Sequence, residues 1–150
     1  MKKIVLLIII LFILTSCQSL PYRADREDVD IVISLINKGD ITALTAVSRL
    51  PFLFESEIIS TPTDMQSLWQ YLSSGGFKLK DYTIREIFYP ERISDLWPGI
   101  KMEIDSYQKN YLNQDTNCVI IDTAGGEFML LIGRPVKGIP SILGIRGPAL

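Results

Sequence analysis

Histidine is missing from the chain altogether, and cysteine occurs only twice, at Cys17 and Cys118. Without an imidazole there is no Ser-His-Asp or Cys-His nucleophilic system, and the commonest protein ligand for transition metals is gone. Two cysteines cannot build a disulfide framework. Nor is there an excess of positive charge: 15 Lys and Arg face 17 Asp and Glu, for a net charge of −2. That balance argues against nucleic acid as a partner. Asp115-Thr116-Asn117 lacks the remainder of a calcium loop, and Gly125-Gly126 is a turn without the lysine of a phosphate cradle. Glu103, Asp105, Asp115 and Asp122 are the carboxylates left for acid-base work, and Glu103 and Asp105, two apart, point away from each other on a helix. The sequence nominates no catalytic residue, no metal ligand and no cofactor.

What is present begins at the N-terminus. Lys2 and Lys3 precede an apolar run over residues 4–14, followed by Thr15, Ser16 and Cys17. This is the charged, apolar, small-residue order of a secretory signal peptide. Eleven apolar residues are too few for a comfortable permanent span, since a helix rising ~1.5 Å per residue needs about 20 to cross a bilayer core. The alternative is an uncleaved anchor over the charge-free residues 4–22, whose second half, with Thr15, Ser16, Gln18, Ser19 and Pro21, makes a poor helix for lipid.

Leu14-Thr15-Ser16-Cys17 resembles the lipobox of bacterial lipoproteins. The resemblance implies that Cys17 receives a diacylglycerol, that residues 1–16 are removed as a leader, and that the chain is held to a membrane by lipid. Residues 17–24 then form the lipidated end and a short tether, and residues 25–150 a single domain. Gln18, rather than an aspartate, follows the cysteine; by the same resemblance this implies the outer membrane, on its periplasmic or surface face. Cys118, next to Val119, Ile120 and Ile121, reads as a buried small hydrophobe.

Within the domain the periodicity changes halfway. Val29, Val32, Ile33 and Ile36 form the stripe of an amphipathic helix over residues 25–38, with Glu27, Asp28 and Asp30 in its first turns, where the dipole favours acids. Gly39 suits the end of that helix and Asp40 the N-cap of a second, carrying Ile41, Leu44 and Val47 until Pro51 stops it. Residues 52–59 read as two short extended pieces. A capping box over residues 63–66 opens a third helix with Met65, Leu68, Trp69 and Leu72 inward, closed by Gly75-Gly76. Residues 77–89 read as a strand. Ile100, Ile104, Tyr107 and Tyr111 keep helical spacing over residues 100–112, although Ile100, Met102 and Ile104 also alternate as a strand would. Strands over residues 117–123, 127–134 and 141–145 form an antiparallel meander, and the unbroken apolar stretch 128–132 predicts a strand covered on both faces.

Helices first and antiparallel strands afterwards predict an α+β fold with N-terminal helices packed on a curved antiparallel sheet. Asn37-Lys38-Gly39-Asp40, Leu50-Pro51-Phe52-Leu53-Phe54, the span from Leu68-Trp69 to Phe77, and Leu131-Ile132-Gly133-Arg134 together resemble the NTF2-like, cystatin-like superfamily, in which such a sheet wraps a helix into a cone. The break at Gly39-Asp40 departs from the longer first helix usual there. The resemblance implies a pocket between sheet and helices, used by members for catalysis, for binding apolar molecules or merely as core. Trp97, in a Pro/Gly loop, is expected at the rim of such a pocket, with Tyr107 and Arg134 as further ligand-binding candidates; Trp69 is expected in the core. The functional expectation is a membrane-anchored envelope lipoprotein that binds a small apolar molecule or an envelope protein. The alternatives are an enzyme using carboxylate and tyrosine acid-base chemistry on the same fold, and a purely structural interaction domain.

Overall fold

The computed structural model describes residues 20–91, 93–97 and 99–148; the leader, the lipobox and Cys17 lie outside the described residues. The first helix, α1 (Arg26–Lys38), starts where Asp25 accepts from the Asp28 amide while the Asp28 carboxylate accepts from the Asp25 amide. The acidic cluster is thus helix-start chemistry. Gly39, at φ 66°, ends α1 in the left-handed region that a side chain would strain. Asp40 then caps α2 (Ile41–Val47).

Pro51 is not what stops α2. The helix gives way at Ser48 to β1 (Ser48–Phe54). Pro51, which has no amide donor, falls where the register of β1 shifts between Ser48 and Leu53. A tight turn leads into β2 (Glu57–Ile59). The third helix, α3 (Pro62–Ser74), opens two residues earlier than its expected box: Thr61 is the N-cap, accepting from the Asp64 amide, and Pro62 takes the first helical position. Strand β3 covers only Thr83–Phe88. The preceding loop lacks a sheet partner because Asn37 supplies one, accepting from the Leu79 amide at 2.8 Å and donating to its carbonyl at 3.0 Å. A 3₁₀ turn (Ile93–Asp95) precedes α4 (Lys101–Tyr111), so the helical spacing prevails over residues 100–112. Strands β4 (Asn117–Thr123), β5 (Gly126–Val136) and β6 (Ile139–Arg146) complete the chain.

The fold is α+β, with a curved sheet that does not close into a barrel, consistent with the NTF2-like type. Its strand order is β2-β1-β6-β5-β4-β3, and the sheet is mixed rather than purely antiparallel, because β1 runs parallel to β6. Helices α1, α2 and α3 cover one face, burying Val32, Ile33, Leu44 and Trp69 against Val119, Leu130 and Ile142. Trp69 is 1% exposed, packs edge-on to Phe52 and donates its indole N–H to the Ser48 hydroxyl.

Helices are not confined to that face. Ile104 and Tyr107 of α4, with Ile93 and Trp97, cover the other, packing on Leu53, Cys118, Ile120 and Leu131. Two covered faces explain why β4 and β5 are apolar without alternation: Val119 and Ile121 enter one core, Cys118 and Ile120 the other. Cys118 is fully buried, as its neighbours predict.

Candidate functional site

At one end of the sheet the core under α1, α2 and α3 leaves a gap. Phe54 at the end of β1, Leu72 of α3, Phe77 after the glycine pair, Phe128 of β5 and Ile145 of β6 line a cavity of about 200 Å³, together with Glu55, Gly147 and Pro148. The Phe77 and Phe128 rings lie 5.7 Å apart between centroids. An apolar cavity of ~150 Å³ takes a benzene-sized molecule, so this one suits a small ring or the end of an alkyl chain.

Glu55 is the charged residue on this wall, and it is pinned from three directions. Its amide donates to the Ile145 carbonyl at 3.1 Å. Its carboxylate accepts from the Gly147 amide at 2.6 Å, and its carbonyl accepts from the Trp97 indole N–H at 2.6 Å. These contacts hold Glu55 at φ 50°, a conformation uncommon for residues other than glycine. Gly147 lies close against this wall: an added Cβ would come within 3.3 Å of both the Glu55 carboxylate and the Phe128 ring, and one of them would have to give way. Arg146 turns to the opposite face, bonded to the Leu96 carbonyl and to Glu127.

The sequence-predicted site residues do not meet here. Trp97 is 5% exposed and belongs to the α4-side core, so it is no rim residue; it reaches the cavity only by holding the Glu55 carbonyl from behind. Tyr107 is buried in the same core, its hydroxyl 2.9 Å from the Leu143 carbonyl and 3.1 Å from that of Pro51. Burial raises its phenol above the ordinary value. Arg134 lies at the far end of the sheet, its guanidinium against both oxygens of Asp115 at 3.0 and 3.1 Å.

Two of the four carboxylates left for acid-base work are engaged elsewhere. Asp122 pairs with Arg85, and Asp115 is held below the ordinary carboxylate range first by Arg134 and then by the Tyr22 amide. Among the described residues no cluster of three acidic or cysteine side chains could hold a metal ion. Sequence reasoning missed the cavity because its walls come from five separated elements. Glu55 was legible only as the break between two extended pieces.

The chain before α1 is docked rather than free. The Tyr22 amide donates to Asp115 at 2.7 Å, Arg134 donates to the Leu20 carbonyl at 3.0 Å, and Arg23 donates to the Gln114 carbonyl at 2.9 Å. This seam lies where β4 begins and β5 nears its end, whereas the cavity lies where β1 and β6 finish. No protein-family model, no curated protein and no solved structure matches the chain, so the meaning of the cavity rests on its own geometry.

Proposed function

We propose that this chain is a lipid-anchored envelope protein whose domain holds a small apolar molecule, or the apolar end of a larger one, in the cavity between Phe54, Leu72 and Phe128. The anchor is the lipid on Cys17, after removal of residues 1–16, and Gln18 directs the protein to the outer membrane. One observation carries the binding reading: a preformed cavity walled by aromatic and aliphatic side chains, with Glu55, the carboxylate-bearing residue of its wall, fixed by the Gly147 amide. Such a wall gains free energy from removing apolar surface from water, about 25 cal/mol per Å² buried. The seam at Asp115 supports an arrangement in which the cavity opens at the end of the sheet away from the anchor.

Indole titrated into the chain in lipid nanodiscs tests the reading. Saturable shifts of the Leu72 and Ile145 methyl resonances are expected, lost in Leu72→Trp, which fills the cavity. Shifts that do not saturate, or that persist in Leu72→Trp, would reject it.

A further inference from the structure

The two edges of the sheet are treated differently. At the β3 edge, Arg85 is an extra residue in the register between Ile84 and Glu86, and its side chain pairs with Asp122 and Glu127. Arg26 donates to the Ile84 carbonyl on the same strand. A bulge, a fixed charge and a side chain on the backbone are the devices by which proteins prevent strands from adding to an edge.

The β2 edge has none of these. Among the described residues its strand pairs only with β1, and the one charge on it is Glu57, next to Ile58, which is 40% exposed. Grooves lie on both sides of it. One, of about 460 Å³, runs between β2 and α4, with Met102, Ser106 and Tyr111 on its wall. The other, of about 550 Å³, runs between β2 and α3, with Ser67, Leu68 and Tyr71 on its wall. Ile58 and Ser60 line both, so the grooves meet at the free edge. Met102 is 77% exposed and Tyr71 73%, large apolar surfaces that none of the described elements covers.

We infer that the β2 edge accepts an extended segment of a partner protein as a seventh strand, lying between α3 and α4. Successive side chains of a strand point to opposite faces, so those of the added segment enter the α3 groove and the α4 groove in turn. Backbone hydrogen bonds to β2 supply the pairing, and the grooves supply the choice of side chains. Because β2 is only three residues long, the grooves must supply most of the selectivity.

Charge identifies the segment further. Glu57 and Asp64 line the α3 groove and Glu103 the α4 groove; no Lys or Arg among the described residues lines either. The partner segment is therefore apolar with interspersed Lys or Arg. A second copy of this chain fits less well, since pairing β2 with itself would bring these acids together.

The test uses a random dodecapeptide phage library selected on the full chain in non-ionic detergent, with enriched peptides measured by fluorescence polarisation. Enrichment of peptides combining alternating apolar positions with basic residues is expected, with binding weakened as salt rises. Ile58→Lys, Met102→Lys and Tyr71→Lys change exposed residues, and Ile58→Lys should weaken binding at least tenfold. N-methylating the peptide residue by residue should abolish binding only at the one or two alternate positions whose amides face β2, a pattern that packing alone does not produce, and this readout needs no variant to fold. Absence of enriched peptides, binding indifferent to Ile58→Lys, or N-methyl effects without alternation would overturn the inference. So would self-association of the chain that Ile58→Lys abolishes, which would assign the edge to a second copy.

Discussion

Trp97 and Glu55 lie 42 positions apart and meet through one hydrogen bond, the indole N–H of the first on the carbonyl of the second. Trp97 sits in the α4-side core and Glu55 in the cavity wall, so this bond ties one core to the site formed beside the other. Trp97→Phe keeps most of the packing and removes the donor, and it is expected to lower stability by ~1 kcal/mol and weaken indole binding. Trp97→Ala also empties a buried site and should cost ~3 to 5 kcal/mol, comparable with Trp69→Ala. Denaturant midpoints of the three variants check this. A Trp97→Ala midpoint near that of the wild type would contradict the burial described above.

Cys118 should be inert until the domain unfolds. Burial pushes its thiol from the ordinary 9.0 up to about 12, so almost no thiolate exists at pH 8 for an alkylating reagent. Labelling by a maleimide at pH 8 should be slow in the native protein and fast in denaturant. The same shift sets an alkaline limit. The unfolded chain sheds this proton near pH 9 while the folded one keeps it until about 12, so its contribution is full below pH 9 and is lost as pH climbs between the two values. Buried Tyr107, whose phenol is also raised, acts in the same direction. A stability profile by denaturant titration between pH 8 and 11 should therefore fall.

The Asp115 seam has the opposite pH sense. Its carboxyl is held below the ordinary 3.8, so its contribution is present above that value and disappears as pH falls through the lowered one. Asp115→Asn should leave global stability within about 1 kcal/mol, as expected for an exposed ion pair. It should nonetheless free the segment from Leu20 to Ala24. Hydrogen exchange at the Tyr22 amide is expected to accelerate about tenfold in the variant, the loss of ~1.4 kcal/mol of local protection. Unchanged exchange would mean that the other contacts hold the segment by themselves.

The anchor is tested separately. Radiolabelled palmitate should enter the wild-type chain in a lipoprotein-processing host and be lost in Cys17→Ser, with the unprocessed leader retained. Equal labelling of both would remove the lipid from the proposal and leave the cavity untouched.

What could be read from the sequence was mostly local. The Asp25 start, the Gly39-Asp40 junction and β4 depend on neighbours within a few residues, and so do the helix over 101–111 and the burial of Trp69. Most of the failures were non-local, the start of α3 being a local one. Residues 77–82 have strand composition, but Asn37, about forty positions earlier, completes the Leu79 backbone in place of a strand. Thr61 rather than Thr63 caps α3 because Pro62 fits the first helical position. Trp97 looks like a loop tryptophan until α4 and the outer face of the sheet close over it.

The docked residues before α1 also decide how the domain would move. On the proposed anchor, only Gln18 and Ser19 separate the lipid-bearing Cys17 from Leu20, whose carbonyl Arg134 holds. Three residue steps span at most about 10 Å. A long leash would let a domain tumble and sweep a wide volume above its membrane; the proposed one would be short, since the chain from Tyr22 is already bonded to the body at Asp115. The molecule would travel across the bilayer with a steady heading, meeting partners through lateral diffusion rather than through reach.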